Sequence, residues 1–134
     1  MRRKKILIVD DEFGVREYLS EKLQLSGYET FTAADGQEGM DVVSKVKPDL
    51  ILLDILMPIM DGWKMLSCLR EQENTRDIPV VMLTARGETE SLFKSQARRA
   101  LDYFIKPVDT KELLAFIKKY IDLSPNHPEE DLRL

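Results

Sequence analysis

Asp10, Asp11 and Glu12 follow one short apolar run and Asp54 follows another, and these acids are the residues best placed to do chemistry. In an open α/β sheet, ligands bind beyond the carboxyl ends of the strands. If the two runs are neighbouring central strands, their acids converge on one crevice, where like charges repel by several kcal/mol unless something neutralises them. A hard divalent cation is the natural remedy. Two or three carboxylates with waters and a backbone carbonyl suit Mg²⁺ better than a fully caged Ca²⁺. Helix capping accounts comfortably for one of Asp10 and Asp11. It does not account for Asp54, which runs into a proline-containing loop.

The turn DDEFG also excludes a rival chemistry. Nucleotide and flavin sites after a first strand need a Gly- or Ser/Thr-rich turn whose N–H groups cradle phosphate, and this acidic turn repels it. A bound divalent cation reverses that balance and makes phosphoryl transfer onto a carboxylate plausible. Two further strand ends fit the same chemistry: Thr84, followed by small Ala85, and Lys106, followed by Pro107. A hydroxyl that donates to one phosphoryl oxygen and an ammonium that neutralises another form the electrostatic clamp such a transfer requires. Taken singly, a Thr ending a strand is commonly structural and a Lys before Pro commonly lies on the surface. Their weight comes from coinciding with the acidic strand ends.

The elements that must position these residues alternate along the chain. Apolar runs at Ile6–Val9, Tyr28–Ala33, Leu50–Leu53, Val80–Leu83 and Tyr103–Ile105 read as short strands covered on both faces. Segments of helical period lie between them, which predicts an α/β fold with helices on both sides of a parallel sheet. Val15, Tyr18, Leu19 and Leu23 mark the first helix, with Gly27 as its stop, and Pro48 ends the second. A third from about Asp61 carries Trp63, Leu66 and Leu69, and a weakly anchored fourth begins near Glu88. Asp109 to Glu112 fits a capping box for a last helix with an apolar stripe from Leu113 to Ile121.

Composition narrows the function. With 43% hydrophobic and 33% charged residues the chain can bury a core, which predicts one domain over residues 1–123. Residues 124–134, with two prolines and no period, read as a flexible tail or the start of a linker. A net charge of -4 disfavours direct nucleic-acid binding. No run approaches the ~20 apolar residues of a membrane span, and no signal-peptide core follows the basic start. A cytoplasmic protein without membrane insertion is expected. The lone Cys68 cannot form an internal disulfide and fits a half-buried helical position.

With these residues in place, ILIVDDE, LILLDILMPIMDG, VVMLTA and DYFIKPV, in order and at family spacing, resemble the response regulator receiver domains from Lys4 to Leu123. The resemblance implies a flavodoxin-like (βα)5 doubly wound fold with strand order 2-1-3-4-5. It implies that Asp54 accepts a phosphoryl group from a sensor histidine kinase or a histidine phosphotransfer protein. Asp11, Asp54 and the backbone carbonyl of Leu56 would bind Mg²⁺, with Asp10 acting through water. Lys106 would pair with the phosphoryl group and Thr84 would hydrogen-bond to it. Thr84 with Tyr103 would form the switch, altering the face made by the fourth helix, fifth strand and fifth helix for a downstream protein target or output domain. Phosphorylation-dependent homodimerisation is compatible with this face. Met57, Pro58, Asp61 and Gly62, with Ala85 and Pro107, would shape the loops, while Met60, like Met57, packs and is no ligand, since thioethers are poor partners for Mg²⁺. Such a domain catalyses its own phosphorylation and dephosphorylation without being a turnover enzyme.

Arg99 and Ala100 stand where receivers commonly have Gly-Ala, so the loop after the fourth helix is expected to differ from the family's. Leu56 and Arg86, each two residues beyond a site residue, are expected to tune acyl-phosphate hydrolysis. Two other functions compete. A degenerate receiver serving only as a binding module does not need the complete set of Asp10, Asp11, Asp54, Thr84 and Lys106. An aspartyl-nucleophile phosphatase needs a second acid near the nucleophile, which Ile55 and Leu56 do not supply.

Overall fold

A computed structural model describes residues 2–85 and 100–122. The expected fourth helix, Arg86, Arg99 and the tail from residue 124 lie outside the described residues. Strands β1 (Lys5–Val9), β2 (Glu29–Ala33), β3 (Leu50–Asp54), β4 (Val80–Ala85) and β5 (Asp102–Lys106) pair in parallel in the order β2-β1-β3-β4-β5. This is the expected doubly wound arrangement. Its centre is β1 against β3, in register from Ile6 with Leu50 to Val9 with Leu53.

The central strands are apolar throughout because both of their faces are covered. Side chains alternate across each strand, so Leu7, Val9, Ile51, Leu53, Val80 and Met82 pack on one side against Val43, Met65, Leu66 and Leu69. Those partners come from α2 (Gly36–Val46) and α3 (Gly62–Glu71). Ile6, Ile8, Leu50, Leu52, Val81 and Leu83 pack on the other side against Leu19, Leu23, Leu113, Ile117 and Ile121. These belong to α1 (Phe13–Leu25) and to the last helix, Thr110–Asp122.

The strand ends differ from the expected ones for an identifiable reason. Apolar runs stop at the first polar residue, yet the ladders continue to Asp54, Ala85 and Lys106, because pairing uses the backbone and not the side chain. Tyr28, expected to open β2, lies outside it. Its N–H donates to the Leu23 carbonyl at 3.1 Å while that of Gly27 donates to Gln24 at 3.0 Å. This is a Schellman closure of α1, with Gly27 at φ 99° in the left-handed conformation that such an ending requires. The closure turns the chain at Gly27 so that the ladder with β1 begins only at Glu29, whose N–H donates to the Lys4 carbonyl at 2.9 Å. The last helix is capped as expected, with Asp109 Oδ1 accepting from the N–H of Glu112 at 3.2 Å.

Candidate functional site

Parallel pairing puts the carboxyl ends of β1, β3, β4 and β5 at one edge of the sheet. There Asp11, Glu12, Asp54, Ile55, Leu56, Thr84, Ala85 and Lys106 line a cleft of about 300 Å³. Asp10 lies beneath it, fully buried. The side chains singled out from four separate stretches of sequence are thus brought to one place.

Lys106 holds the centre. Its Nζ lies 2.7 Å from Asp10 Oδ2, 3.2 Å from Asp54 Oδ1 and 3.5 Å from Glu12 Oε1. Burial pulls this ammonium's pKa down, but its bond to Asp10 and the charges of Asp54 and Asp10 outweigh that, and the net shift is upward. Lys106 is a firm cation at neutral pH. Asp54 moves far from the usual 3.8, up to about 7, first because burial disfavours its charged form and next because Asp10 faces it. The nearby Lys106 opposes this without cancelling it, and Asp11 adds to it. One ammonium does not neutralise the carboxylates around it, so the site has room for a further positive charge.

The donor set suits a hard cation. Carboxylate oxygens of Asp10, Asp11 and Glu12 all lie within 4.8 Å of one another. Asp54 is outside that group and is tied to it through Lys106. Oxygen donors without histidine or thiolate fit Mg²⁺ and not a softer metal. Glu12 belongs to the acidic run that converges on the crevice; its contact with Lys106 at 3.5 Å depends on how β1 and β5 come together, which no local pattern encodes.

Capping does not explain the acids after β1. Glu12 occupies the N-cap position of α1 and makes no side-chain cap. Asp11 is exposed in the cleft, and Asp10 Oδ1 accepts from the N–H of Glu12 at 2.9 Å. Thr84 is buried, and its hydroxyl donates to the Ala85 carbonyl at 3.3 Å, a long bond. Tyr103 is half-buried and packs against the core cluster that includes Met82.

The loop after β3 is braced from both sides. Gly62, the first residue of α3, donates its N–H to the Ile55 carbonyl at 2.8 Å, and Asp61 caps the helix by accepting from Lys64 N–H at 2.8 Å. Met57 is buried, and both it and Met60 pack on the core. Leu56, Pro58 and Pro107 are exposed, and the Lys106–Pro107 peptide is cis. Between Pro58 and Met60 the chain turns tightly, Met60 N–H reaching the Pro58 carbonyl at 2.7 Å, with Ile59 at φ 69°. A β-branched residue there costs about 1–2 kcal/mol, and no Gly or Asn marked the turn in advance.

The sequence matches the response regulator receiver domain family over residues 6–118. It is 42% identical over 127 residues to sporulation initiation phosphotransferase F of Bacillus subtilis, an alignment covering 94% of this chain and 100% of that protein. It is also 42% identical over 115 residues to the phosphate regulon transcriptional regulatory protein PhoB of Pseudomonas aeruginosa, covering 86% of this chain and 50% of that one. The chain spans about half the length of the transcriptional regulators it matches. Among solved structures, the chemotaxis protein CheY4 of Vibrio cholerae is 33% identical and superposes with a TM-score of 0.80, covering 88% of this chain and 98% of that one.

Proposed function

From the premise that this chain belongs to the response regulator receiver family, a signalling module of two-component phosphorelays and not a turnover enzyme, we propose that Asp54 is its phosphoacceptor. The donor is a histidine kinase or a histidine phosphotransfer protein. The observation that carries this is Lys106, whose Nζ bridges buried Asp10 and Asp54 beside an open cleft. A bridging ammonium holds the Asp54 carboxylate in place and leaves a cation beside the position an incoming phosphoryl group would take.

In the transfer an Asp54 oxygen forms a bond to phosphorus while the phosphorus–nitrogen bond of the donor histidine breaks, and the ring nitrogen keeps the electron pair. Asp11, Asp54 and the Leu56 carbonyl would hold Mg²⁺, with Asp10 acting through water. Bound there, the cation supplies charge that offsets the carboxylates and the phosphoryl oxygens. Lys106 neutralises a second phosphoryl oxygen. The Thr84 hydroxyl exchanges its long bond to Ala85 for a phosphoryl oxygen, and Tyr103 follows it, changing the surface offered by β5 and the helix Thr110–Asp122 to a downstream protein or output domain. None of the helices among the described residues is long and apolar enough to cross a membrane, and the place of work proposed with these partners is the cytoplasm.

The test is incubation with acetyl phosphate, with Mg²⁺ and with excess EDTA, followed by intact-mass measurement. One adduct of ~80 Da, formed only with Mg²⁺, is expected. Borohydride reduction and peptide mapping should then place the modified acid at Asp54. An adduct mapping to Asp10 or Asp11, or one formed equally in EDTA, would refute the assignment.

A further inference from the structure

All four polar groups of Asp10 are engaged. Its N–H donates to the Ala33 carbonyl at 3.0 Å and its Oδ1 accepts from Glu12 N–H at 2.9 Å. Its Oδ2 faces Lys106 at 2.7 Å, and its backbone carbonyl accepts from the Arg16 guanidinium at 2.8 Å. Apart from Lys106, Arg16 is the side chain in this set, and it reaches back from the opening of α1 to the end of β1.

Its place is costly by ordinary helix rules. Arg16 lies near the helix N-terminus, where the backbone dipole disfavours a cation. The acids Asp10, Asp11 and Glu12 precede that end, but no ion pair joins them to Arg16 among the described residues, and the first turn itself holds no acidic residue and no side-chain cap. The guanidinium is held there by two contacts, the Asp10 carbonyl and the ring of Phe13, whose centroid is 5.6 Å from Cζ. The second contact gives a physical reason for a phenylalanine left 67% exposed.

We infer that Arg16 is a positioning residue for the divalent-cation site, fixing the Asp10–Glu12 turn by hydrogen-bonding the carbonyl from which that turn departs. It does not touch the cation or the phosphoryl group. The backbone of Asp10 sets the direction in which Asp11 and Glu12 present their carboxylates, so a loose carbonyl means a dispersed donor set and weaker binding.

The inference rests on the Mg²⁺ reading above, and its test separates the two. Arg16→Met keeps a long stem against Phe13 and removes every donor. By charge alone, deleting a cation beside the site should tighten Mg²⁺ binding. The positioning role gives the opposite sign, a Kd weakened about tenfold or more, measured by calorimetric titration of the full chain with Mg²⁺. Metal-free melting is expected to change by only a few degrees, whereas a merely structural residue would lower melting and leave the Kd of the folded protein unchanged. Should Arg16→Met fail to fold, Arg16→Gln, which keeps an N–H donor on a shorter stem, is titrated in its place and is also expected to bind more weakly. A variant that binds Mg²⁺ as tightly as the parent, or more tightly, overturns the inference. A parent protein that binds no Mg²⁺ overturns the underlying reading together with it.

Discussion

Asp54→Asn is expected to take up no phosphoryl group from acetyl phosphate and, without Mg²⁺, to melt at a higher temperature than the parent protein. The first half follows from losing the nucleophilic carboxylate. The second follows from the electrostatics of the site. Asp54 has a pKa near 7 in the fold against the usual 3.8, chiefly through burial and the facing Asp10. A group whose folded pKa is raised holds its proton more tightly in the native state, so native stability falls as pH rises from about 3.8 to about 7 and then levels off. At 1.36 kcal/mol per pKa unit the full penalty is on the order of 4 kcal/mol at pH 8. Asn carries no charge and can keep an oxygen toward Lys106, so it escapes most of this cost. For a chain of this size that corresponds to roughly 10 °C in Tm. The gap between variant and parent should close below pH 4, where the parent's carboxyl is protonated in both states. Calorimetric melting of the pair across pH 3 to 8 measures this, and a variant that melts lower than the parent at pH 8 would refute the account.

Gly62→Ala is expected to lose several kcal/mol of stability and to displace Asp54. An added Cβ at this position would overlap the carbonyl oxygen of Asp54 and lie 2.9 Å from Ile55 Cα. Both obstacles are backbone, so no rotamer change relieves them, and either α3 or the end of β3 must move. Overpacking of this kind costs about 1–3 kcal/mol and sometimes more. The control is Gly14→Ala in α1, where a Cβ meets nothing within 4 Å; there alanine should stabilise the helix by roughly 0.5–1 kcal/mol. Urea unfolding of the two variants should shift in opposite directions, and a stable Gly62→Ala protein with unchanged phosphoryl uptake would show that the close approach is dispensable.

These two positions also show what could be read before any coordinates. Asp54 stands out because an acid ending an apolar strand has few ordinary explanations, and the same logic marks Asp10 and Asp11, while Thr84 and Lys106 gain weight only by ending strands beside them. The strand order followed from resemblance to the family, since alternation of apolar and helical segments fixes a layered α/β fold and leaves the arrangement of strands open. Arg16 and the contact of Glu12 with Lys106 are not legible in the sequence, because each partner is met only after the chain has turned or the sheet has closed. Ile59 and Lys47, at φ 69° and φ 55°, gave no warning either, as left-handed turns are ordinarily announced by Gly or Asn. Tyr28 reads as strand because an aromatic next to an apolar run looks like part of it, whereas the turn that closes α1 delays the ladder to Glu29.

The pairing of β1 with β3 has a consequence in time. Ile6 must wait for Leu50, with β2 and two helices lying between them in the chain. A chain synthesised at roughly 5–20 residues per second delivers Asp10 and Asp54 seconds before Lys106. During that interval the two acidic strand ends can meet only without their ammonium partner, and in the absence of a divalent cation their repulsion is expected to oppose the pairing of β1 with β3. A nascent chain halted before β5 should accordingly protect its β1 amides from hydrogen exchange at pH 4 and not at pH 8; protection at both would refute this. On this account the last strand is the latch of the sheet, because it brings the ammonium that Asp10 and Asp54 share.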